Sequence, residues 1–80
     1  MDEKGIDRAL GAEIRAQRAR RNWTRAELAT RAGISESSIQ RFESGQRSVT
    51  VANLVSLGEA LRIDPRSMVA AALAQQGEEL

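Results

Sequence analysis

Residues 24–45, TRAELATRAGISESSIQRFESG, constrain the fold more than any other part of the chain. They read as two short helices joined by a tight turn, the second carrying small polar groups on its outer side. Helices that cross closely need a small side chain at the contact, and Ala29 supplies it. The turn needs a residue that tolerates positive φ, and Gly33 supplies that. The second helix has to lock onto the first through an apolar group, and Ile39 lies where that contact falls. Ala29, Gly33 and Ile39 stand at relative positions 5, 9 and 15 of a unit that starts at Arg25.

Around this unit the chain reads as all-α, with five helices. The first is expected from about residue 7 to residue 21, where Ile6, Leu10 and Ile14 recur every four residues. Asn22 and Trp23 make the connection, Trp23 covering the corner between the first two helices. Thr24 followed by Glu27 is a capping box for the second helix, which Gly33 ends. Ser35 caps the third helix, which buries Ile39 and Phe42 and closes at Gly45. Thr50 precedes the fourth, whose apolar positions are Val51, Leu54, Leu57 and Leu61, with Gly58 allowing a close approach. Asp64 and Pro65 start the fifth, with Met68, Val69 and Leu73 along its apolar edge. The expected organisation is a flexible N-terminus at 1–5, one domain at 6–76 and a flexible tail at 77–80.

Eighty residues allow one small core. Cysteine and histidine are both absent, which removes disulfides, the commonest zinc ligands and the usual general base at neutral pH. No metal, cofactor or enzymatic activity is expected. No apolar run approaches the roughly 18–20 residues of a membrane span, and the opening MDEKGIDR is charged rather than signal-like. A cytoplasmic protein without membrane contact is expected. The net charge is only +1, but residues 15–47 hold eight arginines against Glu27, Glu36 and Glu43. The basic half thus coincides with the two-helix unit, a distribution that fits nucleic-acid binding more readily than the alternative of a solvated charged face.

The spacing of Ala29, Gly33 and Ile39 is that of a helix-turn-helix, whose second helix enters the major groove of DNA. Residues 10–61 resemble the lambda-repressor/Cro-type (XRE-like) helix-turn-helix family. The shared features are Leu10-Gly11, Ile14-Arg15, Arg18, Thr24, Glu27-Leu28-Ala29, Ala32-Gly33-Ile34-Ser35, Ile39, Glu43, Gly45, Leu54 and Leu61. The resemblance implies a compact five-helix DNA-binding domain and a sequence-specific regulator of transcription. Where many relatives carry proline, this chain has Val49, so a less constrained loop before the fourth helix is expected, with the Thr50 cap still fixing the helix start.

A helix in the major groove needs donors and acceptors at base edges, and the third helix offers Glu36, Ser37, Ser38, Gln40 and Arg41. Glu36 also fits as a charge stabilising the helix N-terminus, and Ser37 and Ser38 as helix-start residues. Phosphates are expected at Thr24 and Arg25, which open the second helix, and at Gln46, Arg47 and Ser48 in the loop after the third. Arg20 and Arg21 either reach the DNA backbone or are surface charges. The resemblance implies that Arg18 and Glu43 form a structural ion pair bridging the first and third helices.

One recognition helix covers half an operator, and members of this family commonly dimerise so that two helices meet successive grooves. The expected seam is Leu61, Ile63, Met68, Val69 and Leu73, although the same residues also fit a monomer core. The length and the RSVTV loop are similar to restriction–modification controller proteins, with small phage repressors and antitoxins fitting the same pattern. The partners implied are double-stranded DNA and a second copy of the chain. The alternative is a protein-interaction module that keeps the fold and binds a protein partner.

Overall fold

Every helix of this protein begins where a short polar side chain takes over a free backbone N–H. Asp2, Thr24, Ser35, Thr50 and Asp64 occupy the N-cap positions, each accepting from a backbone N–H of the first turn. The computed structural model describes residues 2–77, and these form α1 (Glu3–Arg20), α2 (Arg25–Ala32), α3 (Glu36–Ser44), α4 (Val51–Leu61) and α5 (Pro65–Gln75). The capping box at Thr24 is complete in both directions, and Gly33 closes α2 at φ 67°.

Helix α1 starts earlier than the residue 7 expected from its apolar stripe. The stripe marks only the buried part, whereas Asp2 accepts from the Gly5 N–H at 2.6 Å and starts the helix outside the core. The boundary drawn at residue 5 therefore moves, with residues 3–5 helical. Of the expected tail at 77–80, residues 78–80 lie outside the described residues.

Helix α1 lies across α3 and α5, α2 packs on α3 and α4, and α4 joins α5. The core is Leu10 and Ile14 from α1, Leu28 from α2, Ile39 and Phe42 from α3, Leu57 and Leu61 from α4, and Met68 and Ala72 from α5. Burying a side chain of this size contributes about 1.5–3 kcal/mol, so these few residues supply most of the drive to fold. Two expectations for α4 and α5 need correction. Val51 is 79% exposed, because the core covers only the flank of α4 that carries Leu57, Gly58 and Leu61. On α5 the buried pair is Met68 and Ala72, one turn apart, while Val69 and Leu73 lie at the margin.

The same burial corrects the expected dimer seam. Leu61 is 1% and Met68 0% exposed within one chain, so neither has surface to offer a second copy. Ile63, Val69 and Leu73 are half-buried.

Gly11 sets how closely α1 and α3 approach. A β-carbon there would come within 2.8 Å of the Glu43 carbonyl oxygen and closer still to that of Phe42. Gly58 has a similar role at the α4–α5 turn, where a β-carbon would meet the Ile63 carbonyl and Pro65, the first residue of α5. Backbone cannot swing aside as a flexible side chain can, so Gly11→Ala should force α1 and α3 apart. The expected loss is about 1–3 kcal/mol in a urea titration. An unchanged midpoint would show that the helices are not held this tightly.

Candidate nucleic-acid interface

Helix α3 has two chemically distinct faces. Ile39 and Phe42 are fully buried and hold it against the rest of the protein. Glu36, Ser37, Gln40 and Arg41 are exposed on the other side. These are short or fork-shaped polar groups, able to donate and accept at base edges. Ser38 behaves differently from its neighbours. It is half-buried, and its hydroxyl accepts from Ser35 Oγ at 2.8 Å and from Arg47 Nη1 at 3.1 Å. Its oxygen thus ties the helix cap to the Arg47 side chain.

The residues expected to hold phosphates lie on either side of this helix. Arg25 opens α2 and reaches Glu43 Oε1 at 3.3 Å while its side chain stays 45% exposed. Arg47 follows α3 and folds back along it, its guanidinium 5.5 Å from the centre of the Phe42 ring. Gln46 and Ser48 are exposed beside it, and the Ser48 hydroxyl donates to Asp7 Oδ2 at 2.6 Å. Thr24 is exposed at the N-terminus of α2, where unpaired N–H groups favour an anion.

Arg18 and Glu43 form the pair that the resemblance implied. Arg18 Nε donates to Glu43 Oε2 at 2.7 Å and Nη2 to Oε1 at 3.0 Å, a two-pronged geometry. Arg18 Nη1 also donates to the Trp23 carbonyl at 2.7 Å. The hydrogen bonds to Glu43, aided by its negative charge and opposed by burial, hold the Arg18 guanidinium above its already high pKa. Glu43 thus receives both arginines, Arg18 tightly and Arg25 at longer range.

Two further arginines have internal roles that sequence reasoning missed. Arg21 donates to the Gln17 carbonyl at 2.6 Å and, from its other nitrogen, to the Leu61 carbonyl at 2.6 Å. It therefore joins the C-terminal ends of α1 and α4, where carbonyls lack helical partners. The only hint in the sequence is a cation just past the last turn of α1. Arg31 stacks 4.2 Å from the centre of the Trp23 ring, so Trp23 is a half-buried corner residue capped by a cation.

Comparison with known proteins identifies the family to which this five-helix fold belongs. The family model described as a helix-turn-helix domain matches residues 9–72. This chain belongs to that helix-turn-helix family. It is 41% identical over 56 residues to the HTH-type transcriptional repressor RghR of Bacillus subtilis, a match covering 69% of this chain and 42% of RghR. It thus spans less than half the length of that relative. The restriction–modification controller protein C.AhdI of Aeromonas hydrophila superimposes with a TM-score of 0.74 at 31% identity, covering 76% of this chain and 92% of C.AhdI. The clp gene regulator ClgR of Corynebacterium glutamicum gives a TM-score of 0.85 at 28% identity, covering 90% of this chain and 77% of the ClgR chain.

The two arginines on Glu43 should separate cleanly by mutation. Glu43→Ala leaves the Arg18 guanidinium largely buried without its carboxylate and should cost about 3–5 kcal/mol of unfolding free energy. Arg25→Ala removes an exposed, longer pair and should cost less than about 1 kcal/mol. Guanidinium titrations of both variants check this, and equal losses would show that the network is shared evenly.

Proposed function

We propose that this chain is a DNA-binding transcriptional regulator that reads a two-fold symmetric operator as a homodimer, with α3 of each copy in the major groove. The observation that carries this reading is the exposed face of α3. Glu36, Ser37, Gln40 and Arg41 face outward on a helix whose opposite side is fixed in the core. Arg41 has the fork geometry for guanine, Gln40 the paired donor and acceptor for adenine, and Glu36 an acceptor for a cytosine amine. Thr24, Arg25, Gln46, Arg47 and Ser48 form the flanking set for phosphates, Ser48 through its backbone N–H because its hydroxyl donates to Asp7. Arg25 can turn from Glu43 to DNA without stranding that carboxylate, because Arg18 still pairs with it. Similarity to proteins named as a repressor, a controller and a gene regulator supports the same reading.

The dimer seam belongs on the apolar groove between α4 and α5. Val51, Leu54, Val55, Pro65 and Val69 line it, and Val51 and Val55 are the exposed large apolar side chains among the described residues. Pairing there would remove Val51 and Val55 from water. The half-buried Ile63 and Leu73 of the expected seam remain candidates for its margin, whereas Leu61 and Met68 belong to the core of each copy. A dimer that reads successive major grooves needs its two recognition helices about 34–36 Å apart on one face of DNA. The same groove is the observation behind the second reading, a module that docks a different protein.

Selection of bound sequences from a random duplex pool at about 150 mM salt tests the reading directly, because that ionic strength suppresses purely electrostatic binding. A two-fold symmetric motif with half-sites one helical turn apart is expected, and no enrichment would favour the protein-docking module. On the selected site, Gln40→Ala or Arg41→Ala should relax preference by about 1–3 kcal/mol per lost base contact. Arg25→Ala or Arg47→Ala should instead weaken all sequences alike and lower the salt slope, and the opposite pattern would reverse the assignment. Val55→Asp, at a position 43% exposed, should leave the fold intact but yield monomers in sedimentation. A wild-type chain that stays monomeric at high concentration, with and without DNA, would remove the dimer.

A further inference from the structure

The loop that carries Arg47 is braced by α1. Gln46 and Arg47 both donate their backbone N–H to the Arg41 carbonyl, at 3.0 and 3.4 Å. Next in sequence, the Ser48 hydroxyl donates to Asp7 Oδ2 across a separation of 41 residues. Arg8 packs so tightly beneath Gly45 that a β-carbon there would lie 3.0 Å from the Arg8 α-carbon. The Arg47 backbone is therefore bracketed on one side by α3 and on the other by Asp7. Its guanidinium is aimed along α3 by Ser38 and the Phe42 ring.

We infer that Asp7 is a positioning residue for DNA binding, holding Ser48 so that Arg47 meets a phosphate from a loop that is already ordered. This rests on the proposed role of Arg47 as a phosphate clamp. A loop ordered before binding does not lose that freedom on binding, which is the gain from preorganisation. Charge alone predicts the opposite sign. A carboxylate within a Debye length of the phosphates repels them, so its removal by itself would tighten binding.

The variants Asp7→Asn and Asp7→Ala separate the two effects. Both lack the charge, but the asparagine carbonyl still accepts from Ser48 and alanine does not. Affinity for the selected duplex would be measured by fluorescence anisotropy over a salt series, with thermal melting to show that each variant is folded. Asp7→Asn should bind at least as well as wild type, and Asp7→Ala about three- to tenfold more weakly than Asp7→Asn, the worth of one net hydrogen bond. Asp7→Ala should keep the wild-type salt slope, since the phosphate contact still forms, whereas Arg47→Ala should lower it by about one. In an Arg47→Ala background the difference between the two Asp7 variants should vanish. Equal affinities for Asp7→Asn and Asp7→Ala, or a difference that persists without Arg47, would overturn the inference. If Arg47→Ala itself binds normally, the clamp reading fails first and this inference fails with it.

Discussion

The guanidinium of Arg18 reaches three oxygens in two separate segments, and the placement of α3, the proposed recognition helix, depends on it. Its bonds to both carboxylate oxygens of Glu43 fix the end of α3 against α1. Its bond to the Trp23 carbonyl fixes the turn that leads into α2. A buried ion pair is not an efficient source of stability, because desolvation offsets most of the attraction. It is directional, however. An apolar contact would tolerate α3 sliding or rotating, whereas two parallel hydrogen bonds do not. Gly11 works with it by letting the Phe42 and Glu43 backbone settle directly on α1. With one face held this way, the outer face of α3 presents Gln40 and Arg41 in a defined orientation.

Arginine serves three purposes here that a count of charges cannot separate. Arg18 and Arg21 are committed to internal acceptors, one to a carboxylate and the other to helix-end carbonyls. Arg31 covers an indole. Arg25 and Arg47 are tethered loosely at the surface and keep the freedom to engage an anion. The excess of positive charge over residues 15–47 therefore overstates the number of cations that face a ligand. The same stretch contains the helix-turn-helix, which Arg18 and Arg31 help to build from within.

Much of the fold was legible in local patterns. Thr24 with Glu27, Gly33, Ser35, Thr50 and Asp64 with Pro65 mark helix ends by chemistry acting over a few residues, and the structure places the ends there. The exposed positions at 36, 37, 40 and 41 were legible too, because Ile39 and Phe42 define the opposite face. The apolar positions of α4 and α5 were less informative. Val51, Leu61, Met68 and Val69 have the same chemistry, yet Leu61 and Met68 fill the core while Val51 and Val69 line an open groove. Periodicity shows that a helix has an apolar side wider than one contact needs, but not which part the neighbouring helices cover. Ser38 was indistinguishable from Ser37 for the same reason.

The sequence by itself determined the helices, their order and the turn at Gly33, because caps, φ preferences and apolar spacing act within about one helical turn. Tertiary structure decided which partners the side chains find. Arg25 meets Glu43 across 18 residues, Arg18 meets Glu43 across 25, Arg21 meets Leu61 across 40 and Ser48 meets Asp7 across 41. At such separations the chain imposes no geometry of its own. The packing of α1 on α3, α4 and α5, and of α2 on α3 and α4, brings these groups within hydrogen-bond reach.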